Sequence, residues 1–378
     1  MNFELTDEQA MLREASRSLL RDQSSMEQVR RRLDDGPDVP ADVDPTLWRL
    51  AAELGWAGIA LPEEYGGSGQ GLVELSIVAQ EIGRALARGP FLPTVLVGNA
   101  VARAGSPELR AEVLPALADG SASASWAFAE PGAPWTLDGI RMTTTTSGDT
   151  IVLDGIKTAV QDADSSRWLV VTALYEGEPT SFLVDRDTPG LSVRRQHVLD
   201  LTRSFYKVRL DGVRVPASRK LDGGPAAIQR LLDVACVLYG AEAIGVMDRM
   251  LALTVEYLKV RVQFGTVIGT FQAVKHKCAT MAMLVHGSRA ALDYAAMATD
   301  AGAPDASQAC CVAASFISSS VGDVAGEALQ LHGGIGFTWE HDLHLHLRRA
   351  KVDGVLYGDA AVHRERLCGL LQRTLAAL

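Results

Sequence analysis

Apolar residues recur with a helical period over the first third of the chain. Thr6 is followed by Gln9 at the spacing of a capping box, and the apolar series Met11, Leu12, Leu19 and Leu20 begins behind this pair. The same period marks a second helix near 46–54 and a third near 72–86. These patterns predict an all-helical N-terminal domain over residues 1–120.

Between residues 121 and 222 the apolar period changes from about 3.6 to 2, which is typical of β-strands. Alternating or β-branched segments are separated by SGD, DG and EGEP sequences, which favour turns. The predicted strands are 141–146, 150–153, 168–174, 180–185 and 205–210. We therefore expect a small antiparallel, barrel-like β domain in the middle of the chain.

The helical period returns after Gly223 and Gly224 in longer segments. The predicted helices are 226–261, 271–299, 306–331 and 341–351, with a last one near 360–377. Long helices joined by short loops that contain Gly or Pro predict an antiparallel four-helix bundle over 223–378. The predicted fold is therefore α+β, with a helical domain, an antiparallel β domain and a helix bundle in that order.

Composition excludes several classes of function. The 378 residues carry 36 Lys and Arg against 46 Asp and Glu, and this net charge of −10 is unsuited to binding a nucleic-acid backbone. No stretch reaches the roughly 18 uncharged apolar residues of a membrane span, and the N-terminal sequence does not resemble a signal peptide. Five cysteines without a CxxC pair suit a reducing compartment. We expect a cytoplasmic protein without a membrane span.

A metal site is not predicted. His341, His344 and His346 share one predicted helix, but the third side chain points about 140° away from the first, so they do not converge.

Two motifs in the predicted bundle indicate a phosphate-bearing ligand. The first, RVQFGTVIGTFQAVKH, contains Arg261, Gln263, Phe264, Gly265 and Gln272. A guanidinium and an amide next to a glycine break and a helix start offer several donors to a pyrophosphate. The second, QLHGGIGF, contains Gln330, Gly333 and Gly334, where the backbone can approach a ligand closely.

In these motifs, and along its whole length, the sequence resembles the acyl-CoA dehydrogenase family. The resemblance runs in order through LPEEYGG, AFAEPG, the β segments, RVQFG with FQ, and QLHGGIGFTWEHDLHLHLRRAK. It implies FAD-dependent α,β-dehydrogenation of an acyl-CoA thioester, in which a carboxylate removes the α-proton and the flavin accepts a hydride. It also implies a cytoplasmic tetramer of lipid metabolism that passes electrons to an electron-transfer flavoprotein.

The resemblance further implies that each FAD is shared between two subunits. Residues Arg261, Gln263, Phe264, Gly265, Gln272, Gln330, Gly333 and Gly334 would hold the pyrophosphate and adenosine of the FAD seated in the neighbouring chain.

The residues that would bind the chain's own flavin depart from the family pattern. After Phe128, the usual Thr is Ala129, and the usual Gly, Ser and acid after the Glu-Pro pair are Pro134, Trp135 and Thr136. The Trp that shields the flavin falls on Ala159, and the nearby Thr or Ser falls on Gln161. A large stacking surface and several hydroxyls are thus replaced.

The position of the catalytic base also departs from the family pattern. The usual Glu position is Tyr357, and the position used in other branches falls on Ala235. Turning a phenol with a pKa near 10 into a base at pH 7 costs about 4 kcal/mol. Carboxylates that could replace the base are Glu242, Asp233 and Asp359.

Three functions are consistent with this pattern. The favoured hypothesis is a subunit that pairs with a catalytic paralogue in a heteromeric acyl-CoA dehydrogenase, of the kind that resembles actinobacterial complexes acting on bulky thioesters. The alternatives are a self-sufficient homotetramer with a displaced carboxylate base, and a scaffold or non-redox member of the fold.

Overall fold

The computed structural model describes residues 4–34 and 44–376. The N-terminal region is helical, as predicted. Its helices are α1 Asp7–Gln23, α2 Met26–Asp34, α3 Pro45–Glu53, α4 Leu72–Ala85, α5 Phe91–Ala104 and α6 Pro107–Ala118. The predicted capping box is confirmed, because the Gln9 N–H donates to Thr6 Oγ1 over 3.2 Å and the Thr6 N–H donates to Gln9 Oε1 over 3.0 Å.

The middle region consists of two sheets with a common apolar core. Its strands are β1 Ala124–Ala127, β2 Thr144–Ser147, β3 Thr150–Gln161, β4 Trp168–Tyr175, β5 Glu178–Asp185, β6 Leu191–Gln196 and β7 Phe205–Pro216. The strand orders are β1-β4-β5 and β2-β3-β7-β6, so the predicted barrel-like unit is a pair of open sheets. Pairing is antiparallel as predicted, except that β1 and β4 run parallel.

Two strands are longer than predicted because their Asp-Gly pairs do not form turns. Asp154–Gly155 and Asp211–Gly212 lie inside β3 and β7, where the pairing register shifts between Leu153 and Gly155. The Gly212 N–H donates to Asp154 Oδ2 over 3.2 Å. A bulge accommodates the extra residue and bends the strand, so the same dipeptide that closes hairpins continues this ladder.

The C-terminal region is the predicted bundle, with a small hairpin inserted after its first helix. Its elements are α7 Gly224–Val260, β8 Val262–Gln263, β9 Thr266–Val267, α8 Gln272–Asp300, α9 Ala306–His332, α10 Leu343–Asp353 and α11 Ala360–Ala376. Helix α7 is buried along most of its length and crosses α4 closely. A Cβ at Gly245 would lie 1.8 Å from the Gln80 carbonyl oxygen, so only glycine allows this approach.

One stretch qualifies the expectation about membrane spans. Residues 306–337 are long and apolar enough to cross a membrane, but 56% of the apolar window is buried inside the protein. This burial is what the core helix of a bundle requires.

Candidate functional site

The hairpin after α7 projects one predicted motif into solvent. Phe264 and Gly265 form its two-residue turn with φ of +53° and +77°, the backbone that a tight primed turn needs. The Phe264 side chain is 92% exposed. Arg261 precedes the hairpin, and its guanidinium forms no hydrogen bond or ion pair with the described residues. An unpaired cation beside an exposed aromatic ring is therefore available to a group outside this chain.

The second motif lies against the first. Tyr257, one turn before Arg261, stacks on His332 with ring centroids 4.6 Å apart. His332 ends α9, and Gly333–Phe337 forms a short 3₁₀ helix behind it. The structure thus brings the two motifs together at one end of the bundle. The residues assigned to the neighbouring FAD are all exposed: Arg261, Gln263, Phe264, Gly265, Gln272, Gln330, Gly333 and Gly334.

Gly334 leaves the backbone at this end of the bundle open to approach from outside the chain. Among residues 4–34 and 44–376, a Cβ at Gly334 would meet no atom within 4 Å, and the φ of Gly334 is not in the left-handed region. Neither packing nor backbone geometry within the chain requires glycine there. An accessible backbone allows close approach of an external group, and together with the unpaired Arg261 this fits an anionic cofactor such as FAD.

The residues assigned to the chain's own flavin and base lie elsewhere, between the β sheets and the bundle. Phe128, Ala129, Gln161 and Tyr357 are all buried there. Their surroundings are aromatic. Tyr357 stacks on Trp126 with ring centroids 5.7 Å apart. The structure therefore separates the predicted site into an exposed face and a closed interior.

Both polar atoms of the Gln161 amide are engaged within the chain. Its Oε1 accepts a hydrogen bond of 3.0 Å from the Tyr239 hydroxyl, and its Nε2 donates to Asp162 Oδ2 over 3.1 Å. Burial raises the pKa of the Tyr357 phenol above its ordinary value, so this side chain stays neutral and is a poor base.

Ala159 lies at a bulge in β3 and has a φ of +50°. Its N–H donates to Gln196 Oε1 over 2.8 Å. A methyl group at this place offers little surface for stacking on a flavin ring.

Glu242 is held by two arginines. Its Oε1 accepts a 2.5 Å hydrogen bond from Arg349 Nη1, its Oε2 pairs with Arg203, and its side chain is 1% exposed. Both carboxylate oxygens are therefore occupied by guanidinium groups of the same chain, and the side chain is buried away from any ligand. The geometry therefore argues against Glu242 as a displaced base.

The other two candidate carboxylates are also engaged. Asp233 pairs with Arg366, and it accepts a 2.6 Å hydrogen bond from the Ser307 hydroxyl. Asp359 is exposed and caps α11, because its Oδ1 accepts from the N–H groups of Ala361 and Val362. Asp359 therefore points to the start of a helix, which is a structural role.

Sequence reasoning missed the buried charge cluster around Glu242. Asp200 accepts a 2.5 Å hydrogen bond from Arg349 Nε, and Asp353 lies 2.8 Å from Arg203. The cluster joins the segment between β6 and β7 to α7 and α10. The sequence does not predict this cluster, because its residues are far apart in the chain and most charged side chains lie on protein surfaces.

A second missed feature is a buried ion pair behind the Glu-Pro turn. Lys157 Nζ donates to Glu130 Oε1 over 2.7 Å and to the Phe128 carbonyl over 3.1 Å. The Glu130 carboxylate also accepts from the Met142 N–H. This pair fixes the loop that carries Trp135.

A cavity of about 660 Å³ lies beside the start of α7. Its walls come from α5, β5, α7 and the turn between α8 and α9, and they include Asn99, Ser181, Gln229, Thr299 and Ser307. Of the predicted site residues, Asp233 alone lines it. Because four segments that are separated in the sequence form this cavity, no local sequence motif predicts it.

Comparisons with known proteins agree with this geometry. The model of the acyl-CoA dehydrogenase N-terminal domain matches residues 6–121, and that of the C-terminal domain matches residues 222–368. The acyl-CoA dehydrogenase IpdE2 of Mycolicibacterium smegmatis is 32% identical over 96% of this chain and 98% of its own. The chain belongs to the acyl-CoA dehydrogenase family. Its fold class and its assignment to that family of oxidoreductases are thus confirmed.

Solved structures of this family superpose along the whole chain. A variant of the Tcur3481–Tcur3483 steroid ACAD has a TM-score of 0.89 and 33% identity, covering 98% of this chain and 99% of its own. The ChsE4–ChsE5 complex from Mycobacterium tuberculosis has a TM-score of 0.89 and 28% identity, with both chains covered completely. Each of these two structures combines two different proteins, Tcur3481 with Tcur3483 and ChsE4 with ChsE5.

Proposed function

We propose that this acyl-CoA dehydrogenase is a half-site subunit, which works in a heteromer with a catalytic paralogue. The observation that carries the proposal is an asymmetry between two parts of the chain. The face that would hold a neighbour's cofactor is exposed and unpaired, whereas the interior that would hold its own is occupied by the chain's own side chains.

FAD is the proposed cofactor, and it would accept the hydride from the thioester when bound. Arg261, Gln263 and Gln272 would hold its pyrophosphate, since they combine a free guanidinium and amides with the start of α8. Gln330, Gly333 and Gly334 would line its adenosine end. The partner chain would supply the ring-binding half and the base.

The substrate class proposed for the heteromer is an acyl-CoA thioester. The paired composition of the similar ChsE4–ChsE5 and Tcur3481–Tcur3483 structures supports the partner, and the fact that the latter is a steroid acyl-CoA dehydrogenase supports a bulky acyl group. An electron-transfer flavoprotein in the same cytoplasm would accept the electrons.

The rival proposal, a self-sufficient homotetramer, has less support. It needs an available carboxylate, and Glu242, Asp233 and Asp359 are each engaged with arginines or a helix start.

Expression of the chain alone tests the proposal. The purified protein should fold, carry little flavin absorbance at about 450 nm and reduce no dye with CoA thioesters. Co-expression with a paralogue that has the family Glu should restore both flavin and turnover. Full flavin occupancy with turnover in the chain alone would refute the half-site proposal. In that case Glu242→Gln identifies the displaced base if it abolishes turnover while FAD is retained.

A further inference from the structure

Five aromatic side chains form a continuous cluster at the place that the family resemblance gives to the reacting groups. The cluster consists of Trp126, Phe128, Trp135, Tyr239 and Tyr357. We call it the aromatic plug. Its members come from β1, the loop after β1, α7 and the turn after α10, so it closes the junction between the β sheets and the bundle.

Tyr357 is the centre of the plug. Its ring centroid lies 4.8 Å from Trp135, 5.0 Å from Tyr239 and 5.7 Å from Trp126. The side chain is 7% exposed. A ring with neighbours on these sides leaves no space for an acyl group beside it.

The backbone indicates that this position is held under constraint. Tyr357 has a φ of +60°, which is uncommon for a bulky residue. Such a conformation persists when the surrounding packing determines it, and here the rings of Trp126, Trp135 and Tyr239 do so.

Trp135 is the outer member of the plug. It is only partly buried, whereas Tyr357 and Phe128 behind it are almost fully buried. Trp135 packs on Tyr357 and lies 6.2 Å from Phe128 between ring centroids. None of the five plug residues lines the 660 Å³ cavity, so that cavity does not open into the cluster.

We propose that Trp135 and Tyr357 exclude the acyl end of a thioester from this chain. The inference rests on the proposed half-site function and deepens it. It names the residues that prevent substrate binding at one of the two potential active sites of the heterodimer. Only the partner's chamber then accepts an acyl group. This site is therefore inactive for two reasons: the aromatic side chains fill the space for the acyl group, and the catalytic base is absent.

The test compares acetoacetyl-CoA with CoA in the co-purified heteromer, by calorimetric titration. The acyl group should strengthen binding at one site per pair, while the other site should bind acetoacetyl-CoA no more tightly than CoA. In the Trp135→Ser/Tyr357→Gly complex a second site should gain at least tenfold preference for acetoacetyl-CoA. Glycine suits the positive φ of position 357, so this change does not strain the backbone.

The matched control is Trp135→Phe/Tyr357→Phe, which keeps two rings in place and should behave like the wild type. Two acyl-preferring sites in the wild-type complex would overturn the plug, and this measurement remains decisive even if the opened variant does not fold. A folded opened variant with one acyl-preferring site would overturn it too. Both results leave the half-site proposal standing if the flavin count stays at one per pair.

Discussion

Replacing Asp353 by Asn should remove a large part of the pH dependence of stability. Asp353 belongs to a buried cluster in which Arg203 and Arg349 face three carboxylates, those of Asp353, Asp200 and Glu242. One bound proton makes this cluster neutral. Asp353 is the group that takes it, since among the described residues neither of its carboxylate oxygens accepts a well-aligned hydrogen bond, although Arg203 Nη1 lies 2.8 Å from Oδ1. Burial raises its pKa to about 7, with repulsion from Glu242 adding to the effect of burial.

The magnitude follows from linkage. The ordinary pKa of this group is 3.8 and its folded value is about 7, so the folded protein holds the proton more tightly than the unfolded chain. The resulting stabilisation is fully present below about pH 4 and is lost as pH rises through 7. Between pH 5 and pH 8 the wild type should lose about 3 kcal/mol, at 1.36 kcal/mol per pKa unit.

Urea unfolding at pH 5 and pH 8 measures this loss. Asp353→Asn mimics the protonated group, so the variant should gain about 3 kcal/mol relative to the wild type over the same interval. The exposed Asp138→Asn is the control and should follow the wild type. A difference between wild type and Asp353→Asn that is equal at both pH values would refute the reasoning.

Three further predictions concern other parts of the chain. Lys157→Met should lower the free energy of unfolding by about 3 kcal/mol, because it leaves a buried carboxylate without its cation, and an unchanged urea midpoint would contradict this. Iodoacetamide should label the exposed Cys368 in the folded protein but not Cys236, whose pKa burial raises to about 12; peptide mapping that finds both labelled would contradict the fold. Arg261→Gln should lower the FAD content of the heteromer without changing the melting temperature of the chain, whereas the exposed control Lys259→Gln should change neither; equal FAD loss in both variants would count against a specific role.

The helices of the bundle were predictable from periodicity alone. Helix α7 was expected over 226–261 and spans Gly224–Val260, and α9 was expected over 306–331 and spans Ala306–His332. Long apolar series at a single period leave little ambiguity. The division into domains at 120 and 222 stays a prediction.

The β sheets were less predictable because their signals are short. Strand β6 has only Leu191 and Val193 as apolar residues and lies at a sheet edge, so its alternation is weak. The parallel pairing of β1 with β4 depends on contacts between segments that are distant in the sequence. An alternating pattern identifies a strand but does not show which distant strand it pairs with.

The candidate site also has a part that the sequence predicts and a part that it does not. The exposed face could be predicted because its residues form two contiguous motifs. The plug could not, since Trp126 and Tyr239 carry no motif and meet Tyr357 only through tertiary packing. The engagement of Glu242 with Arg203 and Arg349 likewise required the fold.

Native mass spectrometry of the co-expressed heteromer tests the central claim most directly, because it counts flavin and both chains in one measurement. The half-site account predicts one FAD for each pair formed by this chain and its paralogue. Two FAD molecules per pair would contradict it, and so would a catalytically active homotetramer that holds one FAD in every copy of this chain.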